Sequence, residues 1–74
     1  MKTIDLHGFK HEDVDSYLTQ EIESIWNAGI DVEIITGHSS RMKHIVGNIL
    51  NRYDLNYEVG GFLKINNGMI TTVI

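Results

Sequence analysis

The run of residues 30–36 constrains the fold more than any other part of the chain, because helical patterns lie on both sides of it. The run is rich in β-branched residues and lies between Gly29 and Gly37. Before it, from Glu12 to Ala28, and after it, from Arg41 to Tyr53, apolar residues recur at the spacing of an amphipathic helix. A strand between two helices predicts an α/β unit in which this strand lies in the centre of a sheet.

The segments that border this unit have patterns typical of a strand, a helix end and a helix start. Residues 2–7 predict a short first strand. Gly29 is placed to end the first helix, since glycine adopts the left-handed conformation that is common at helix ends. In the loop of residues 37–40, Ser39 or Ser40 can cap the second helix.

The carboxyl-terminal part of the chain predicts two more strands. Residues 62–65 and 69–73 flank Asn66-Asn67-Gly68, which favours a tight hairpin, and residues 56–60 predict a short extended segment. The predicted order is strand–helix–strand–helix–strand–strand. It indicates an α/β two-layer sandwich, formed by a single domain of residues 1–74, in which both helices pack on a mixed sheet.

Composition excludes several classes of protein. The chain has 74 residues and no Cys, so disulfides and thiolate metal sites are excluded. No apolar run approaches the roughly 20 residues that span a bilayer, and residues 1–8 lack the apolar core of a signal peptide. We therefore expect a cytoplasmic domain without a membrane partner.

The charged residues are unevenly distributed along the chain. The net charge is −4, and no Lys or Arg lies between Lys10 and Arg41, where most of the acids fall. By contrast, the stretch from His38 to His44 contains Arg41, Lys43 and two histidines without an acid. Charges are screened within about 10 Å at ordinary salt, so a local basic patch can bind a polyanion even on an acidic chain.

Residues Ile4-Asp5-Leu6-His7-Gly8 place an acid and a base at the end of the first strand. Side chains alternate between the faces of a strand, so Asp5 and His7 are predicted on one face and Ile4 and Leu6 on the other. Gly8 allows the chain to turn sharply after them. An isolated D-x-H is more often structural, with the carboxylate holding backbone amides, but the strand exit favours a functional pair.

The ends of the first two strands are predicted to form one site. A helical crossover joins parallel strands, whose carboxyl ends lie at the same edge of the sheet, where ligands bind in open α/β sheets. The loop after the second strand also leads into a helix, whose free backbone amides suit a phosphate. The residues predicted at this edge are Asp5, His7, Gly8, Thr36, Gly37 and His38.

These two segments resemble the motifs of a known family. Ile4-Asp5-Leu6-His7-Gly8, followed by Glu12 in the first turn of a helix, resembles the L-D-L-H-G opening of the small MutS-related (Smr) domain. Ile35-Thr36-Gly37-His38-Ser39 is similar to its second motif, usually T-G-x-G. The resemblance implies the fold of the C-terminal half of translation initiation factor 3. It also implies nicking of DNA or endonucleolytic cleavage of RNA.

We therefore predict a nucleic-acid-binding, Smr-like endonuclease or nickase, with RNA slightly favoured over DNA. The resemblance implies that Asp5 and His7 are the catalytic pair. In the predicted mechanism His7 is the general base, Asp5 orients it, and the loop before the second helix stabilises the phosphate. The predicted substrate- and phosphate-binding residues are Gly8, Thr36, Gly37, His38, Ser39, Ser40, Arg41 and Lys43. No cofactor is expected.

Three alternatives stand beside this prediction. Ser39 occupies the position of the family's second loop glycine, which favours a non-catalytic module that binds nucleic acid, the ribosome or a protein. A positive φ at Ser39 would instead indicate that the family's loop is kept. Asp5, His7 and His38 could hold a divalent metal as a two-histidine, one-carboxylate site, which is not favoured. An unrelated small-molecule enzyme could use the same cleft.

Overall fold

The computed structural model describes residues 1–60 and 68–74. In chain order its elements are β1 (Lys2–Asp5), α1 (His11–Ser24), β2 (Asp31–Ile35), α2 (Ser40–Arg52), β3 (Tyr57–Val59) and β4 (Met69–Val73). This is the predicted β-α-β-α-β-β order. Within the described ranges, no helix has the length and apolar character needed to cross a membrane.

The strands form a mixed sheet in the order β1-β2-β4-β3. β1 and β2 are parallel, as expected for strands joined by a helix, whereas β4 is antiparallel to both β2 and β3. β2 therefore lies in the interior of the sheet, a position that suits its β-branched residues. The register places Asp5 beside Ile35 and Ile35 beside Met69. The carboxyl ends of β1 and β2 thus meet the start of β4 at one edge.

The core lies between both helices and one face of the sheet. Ile4, Ile34 and Ile70 lie in register on adjacent strands, and Ile4 is 2% exposed while the other two are fully buried. Thr3 and Val73, on the other face, are exposed. The chain is therefore the predicted two-layer α/β structure. The helix residues in the same buried cluster are Val14, Leu18 and Ile22 of α1 and Met42, Val46, Ile49 and Leu50 of α2.

The first helix ends earlier than predicted. α1 ends at Ser24 rather than Ala28, because the chain turns there, with Asn27 at φ 64° and Gly29 at φ 72°. The Gly29 amide donates to the Ile74 carbonyl at 3.0 Å instead of closing the helix. Gly29 thus connects the turn after α1 to the end of the last strand.

Smaller differences lie at the other elements. β1 stops at Asp5 rather than residue 7, and α2 begins at Ser40 rather than Arg41. β3 lies within residues 56–60, predicted as extended, and pairs with β4. The predicted strand at 62–65, and Asn66-Asn67 of the predicted turn, lie outside the described residues.

Candidate functional site

Asp5 and His7 lie at the end of β1 with the predicted alternation of faces. Both are exposed, whereas Ile4 is 2% and Leu6 0% exposed. Asp5 Oδ1 accepts a hydrogen bond from the His7 backbone amide at 2.9 Å. Within the described residues, no hydrogen bond or ion pair joins the carboxylate to the imidazole. Asp5 therefore fixes the main chain at His7, and the ring is exposed to solvent.

A tight turn follows His7 and directs the chain into α1. Gly8 has φ 84°, which other residues rarely adopt. The Phe9 amide donates to the Leu6 carbonyl at 3.0 Å, and the Phe9 ring packs on Tyr17 with centroids 4.8 Å apart. This turn holds the exit of β1 against the core, while His7 stays at the surface.

The second motif is anchored to the start of β4. The Thr36 and Gly37 amides both donate to the Gly68 carbonyl at 2.9 Å. The Thr36 hydroxyl lies 2.9 Å from the Gly37 carbonyl and 3.2 Å from the Gly68 carbonyl, and Thr36 is only 3% exposed. The donors of Thr36 and the Gly37 amide are thus used within the fold and are not directed at a ligand.

The two motifs meet where His7 lies beside Gly37. Gly37 has φ 68°, and a Cβ placed on it would lie 3.6 Å from His7 Cδ2. The Leu6 amide donates to the Ile35 carbonyl at 2.9 Å, which holds the two strand ends together. The structure therefore brings the two segments to one edge of the sheet, as predicted.

Residues 38–41 form the entrance to α2. Ser39 is its N-cap, with its Oγ accepting from the Met42 amide at 3.1 Å and with φ −71°. The left-handed conformation lies at Gly37 and not at Ser39, so the positive φ that would indicate the family's loop is not observed at Ser39. Of the residues that the structure describes, none accepts a hydrogen bond from the amides of residues 38–41. This helix start, surrounded by exposed side chains, suits an anion.

In the part of the chain that the structure describes, the basic side chains of this edge form no ion pair. Lys2 and Arg52, elsewhere, pair with acids of α1 at 3.3 and 2.8 Å. Among the described residues, no carboxylate lies within ion-pair distance of Lys10, Arg41 or Lys43. Lys10 is the N-cap residue of α1, and the other two lie in the first turn of α2. The first turn of α2 contains no acid, whereas Glu12 and Asp13 lie beside Lys10 in the first turn of α1, so unpaired cationic charge is concentrated at the start of α2.

The metal-ligand alternative is not assembled in the structure. Within residues 1–60 and 68–74, no group of three or more His, Cys, Asp or Glu side chains is placed to hold a metal ion.

Gly68 is the residue of this region that sequence reasoning missed. Its position after Asn66-Asn67 indicated a hairpin turn and nothing more. Its carbonyl instead accepts the hydrogen bonds from Thr36 and Gly37. No pattern in the sequence indicates this role, because it depends on which residues the register of β2 and β4 places opposite each other.

A surface groove of about 580 Å³ lies at the other end of the sheet. It is lined by residues 54–58 and 71–73. Within it, the Thr72 hydroxyl donates to the Asn56 carbonyl at 2.6 Å. None of the predicted site residues lines this groove.

Comparisons of the chain with protein-family models, with curated proteins and with solved structures found no match. The resemblance to the Smr family therefore rests on the residues of the two motifs, the element order and the length. Function is accordingly inferred from the geometry of the site.

Proposed function

We propose that this chain binds nucleic acid at the edge where β1 and β2 end, and cleaves a phosphodiester there with His7 as general base. The observation that carries the proposal is the position of the His7 imidazole, beside Gly37 at the entrance to α2. An exposed imidazole at a helix start can reach a phosphate that the helix holds. RNA is favoured over DNA, because its 2′-hydroxyl supplies a nucleophile next to the phosphate.

In the proposed reaction on RNA, His7 takes the proton of a 2′-hydroxyl, whose oxygen attacks the adjacent phosphorus. The bond from phosphorus to the 5′ oxygen breaks, and that oxygen takes a proton from water. The products end in a 2′,3′-cyclic phosphate and a 5′-hydroxyl. Arg41 and the amides of residues 38–41 stabilise the charge that develops on the phosphate. Asp5 positions the base through its hydrogen bond to the His7 amide.

The distribution of charge supports a ligand that is bound locally through phosphate. The net charge of −4 repels a polyanion from most of the surface. The first turn of α1 contains Glu12 and Asp13, whereas the first turn of α2 contains no acid. A phosphate is therefore expected at the start of α2, near Arg41 and Lys43, and not at the start of α1.

A second candidate function is binding without cleavage. The extended backbone at Ser39 and the use of the Gly37 amide within the fold leave fewer amides to converge on a phosphate than a glycine-rich loop offers. Among the described residues, Asp5 also makes no bond to the His7 ring. In this case the same edge would bind nucleic acid, the ribosome or a protein through Arg41 and Lys43.

The test is a cleavage assay with end-labelled RNA and DNA, in the presence and absence of EDTA. The wild type is expected to cleave RNA in both conditions, and a 2′-deoxy substitution at the cleaved position is expected to block the reaction. His7→Ala is expected to lower the rate by roughly 10²- to 10⁴-fold, the usual contribution of a general base. Asp5→Asn, which keeps the size of the side chain, is expected to cause a smaller loss.

The matched control is His44→Ala, which removes an exposed imidazole from α2 and leaves the exit of β1 unchanged. Its rate is expected to equal that of the wild type. Cleavage that persists at full rate in His7→Ala would come from a contaminant and would overturn the enzyme proposal. Binding that Arg41→Ala weakens, without any cleavage by the wild type, would support the module instead.

A further inference from the structure

We propose that Thr36 is a positioning residue, which acts through Gly68 and Gly37 to hold the His7 imidazole in place. The inference changes the role of Thr36 from a contact with the substrate to a support of the base. It rests on the proposed function for the catalytic role of His7. The arrangement itself is a property of the protein without ligand.

Two amides converge on one carbonyl beside the Thr36 hydroxyl. The Gly68 carbonyl accepts from the Thr36 and Gly37 amides, each at 2.9 Å. The single proton of the Thr36 hydroxyl is shared between the Gly37 carbonyl at 2.9 Å and the Gly68 carbonyl at 3.2 Å. Because Thr36 is only 3% exposed, water cannot readily replace these partners. Gly68 directly precedes β4 and lies 32 residues from Thr36 in sequence. These bonds therefore tie the end of β2 to the start of the last strand.

Gly37 is held by a hydrogen bond on each side of its Cα. Its amide donates to the Gly68 carbonyl, and its own carbonyl accepts from the Thr36 hydroxyl at 2.9 Å. Its left-handed backbone, at φ 68°, suits a residue without a side chain. The orientation of Gly37 is thus determined by Thr36 and Gly68 together.

Gly37 in turn lies beside the base. A Cβ on Gly37 would lie 3.6 Å from His7 Cδ2, so the imidazole has Gly37 as its neighbour. The main chain of His7 is held separately, by the carboxylate of Asp5 at 2.9 Å. The base is therefore positioned by two independent supports. Asp5 fixes its backbone, and the bonds of Thr36 fix the surface beside its ring.

Thr72 provides a matched control for Thr36. It is 4% exposed, and its hydroxyl donates at 2.6 Å to the carbonyl of Asn56, the residue before β3, at the other end of the sheet. Loss of either hydroxyl removes a hydrogen bond made by a buried threonine and is expected to reduce stability. Only the loss at Thr36 is expected to move His7.

The experiment compares Thr36→Val, Thr36→Ser and Thr72→Val by NMR of the free protein. The nuclear Overhauser effect between His7 Hδ2 and the Gly37 Hα protons is expected in the wild type. It is expected to weaken, with a shift of the His7 ring signals, in Thr36→Val alone. Thr36→Ser keeps the hydroxyl and is expected to restore both. His7 signals that are unchanged in Thr36→Val, or equally changed in Thr72→Val, would overturn the inference.

The same variants are compared in cleavage of RNA. Thr36→Val is expected to lower kcat by roughly 10- to 100-fold, since a small misplacement of a catalytic group has an effect of this size. KM is expected to stay within about twofold, whereas loss of a direct substrate contact would raise it. Thr72→Val is expected to keep the wild-type kcat.

The outcomes separate this inference from the proposed function. If the wild type does not cleave nucleic acid, the proposed function fails, and the NMR comparison still decides whether Thr36 positions His7. If Thr36→Val does not fold, amide exchange in the wild type replaces it. Slow exchange of the Thr36 and Gly37 amides is expected there, and fast exchange of both would overturn the inference.

Discussion

The helix seam and the site edge are two regions of the molecule that contrast with each other. The helix seam is where α1 meets the end of α2, through Asp15, Glu23, Arg52 and Tyr53. The site edge comprises His7, Gly37 and residues 38–43. At the helix seam, Arg52 donates to Asp15 at 2.8 Å and the Tyr53 hydroxyl donates to Glu23 at 2.9 Å. At the site edge, Arg41 and Lys43 form no ion pair with any residue that the structure describes. The two regions thus differ in whether the fold uses their charged groups.

This difference indicates which charges are available to a ligand. The side chains of Arg52 and Asp15 are 53% and 59% exposed, and exposed ion pairs of this kind contribute little to stability. Arg52 and Asp15 nevertheless pair with each other within the protein. The cations of the site edge have no such partner among the described residues, so phosphate binding would not first have to break an ion pair. Three sets of variants test this contrast.

The largest effect is expected from Gly37→Ala at the site edge, compared with Gly29→Ala in the turn beyond the helix seam. The two glycines have φ 68° and 72°, so alanine is expected to cost about 1 to 2 kcal/mol of unfolding free energy in each case. Nothing lies within 4 Å of a Cβ at Gly29, whereas His7 Cδ2 would lie 3.6 Å from a Cβ at Gly37. The added methyl at residue 37 would only touch the ring, but relaxation of its strained backbone would move the neighbour of the His7 imidazole. Only Gly37→Ala is therefore expected to reduce cleavage, by about tenfold or more.

Urea denaturation and the cleavage assay, applied to both glycine variants, measure these two effects separately. Equal loss of activity in Gly29→Ala and Gly37→Ala would show that activity follows stability alone. The distinction between the two regions would then be wrong at this position.

A smaller effect is expected from removing charge at each region in turn. Arg41→Ala combined with Lys43→Ala is expected to weaken binding of single-stranded RNA by about tenfold at low salt and to reduce the salt dependence of binding. Stability is expected to be unchanged, because none of the described residues forms an ion pair with these two side chains. Arg52→Ala is expected to do the reverse, with a small loss of stability and unchanged affinity.

Fluorescence anisotropy over a series of salt concentrations gives the affinities, and urea denaturation gives the stabilities. If Arg52→Ala weakened binding as much as the double variant, RNA would be attracted by the charge of the whole protein. The site edge would then have no special role in binding.

The smallest effect concerns the pH dependence of the helix seam. Partial burial, followed by the hydrogen bond and charge of Glu23, raises the pKa of Tyr53 above its usual value. The folded state therefore holds this proton more tightly than the unfolded state. The resulting stability is fully present below the unfolded pKa of about 10 and is lost as pH rises through the higher folded pKa.

Urea denaturation at about pH 8 and about pH 11 is expected to show a smaller alkaline loss of stability in Tyr53→Phe than in the wild type. The pKa of Tyr17 is also raised, by its hydrogen bond with Glu21. Tyr17 therefore keeps part of the pH dependence of stability in the Tyr53→Phe variant. An identical alkaline loss in both proteins would show that Tyr53 does not link the helix seam to pH.

The fold could be predicted from the sequence because periodicity reports which side chains must be buried. The helical spacing in residues 12–28 and 41–53 predicted both helices, and the β-branched run predicted an interior strand. The end of α1 could not be predicted in this way. Gly29 can lie at the end of a helix or in a turn that follows it. Which of the two occurs depends on the distant Ile74 carbonyl, to which the Gly29 amide donates.

The candidate site could be predicted only in part. The alternation of side chains along a strand predicted the faces of Asp5 and His7. The helical crossover between β1 and β2 predicted that these residues lie near Gly37. The partners of Thr36 depend on the register of two strands that are far apart in sequence, which local patterns do not contain. The first amides of a helix have no acceptor within the helix, and at α2 the Ser39 side chain accepts from one of them. Ser39 therefore has the extended backbone of an N-cap residue.

Because a chain is made from its amino terminus, the bond from Thr36 to Gly68 can form only late in synthesis. Residues 5 and 7 leave the ribosome first and Gly37 follows, but the carbonyl that fixes Gly37 arrives only with residue 68. A growing chain therefore carries its acid, its base and its cations next to ribosomal RNA before Gly37 is fixed beside the base. On the proposed mechanism, the nascent chain stays inert towards the RNA around it until its last strand has docked.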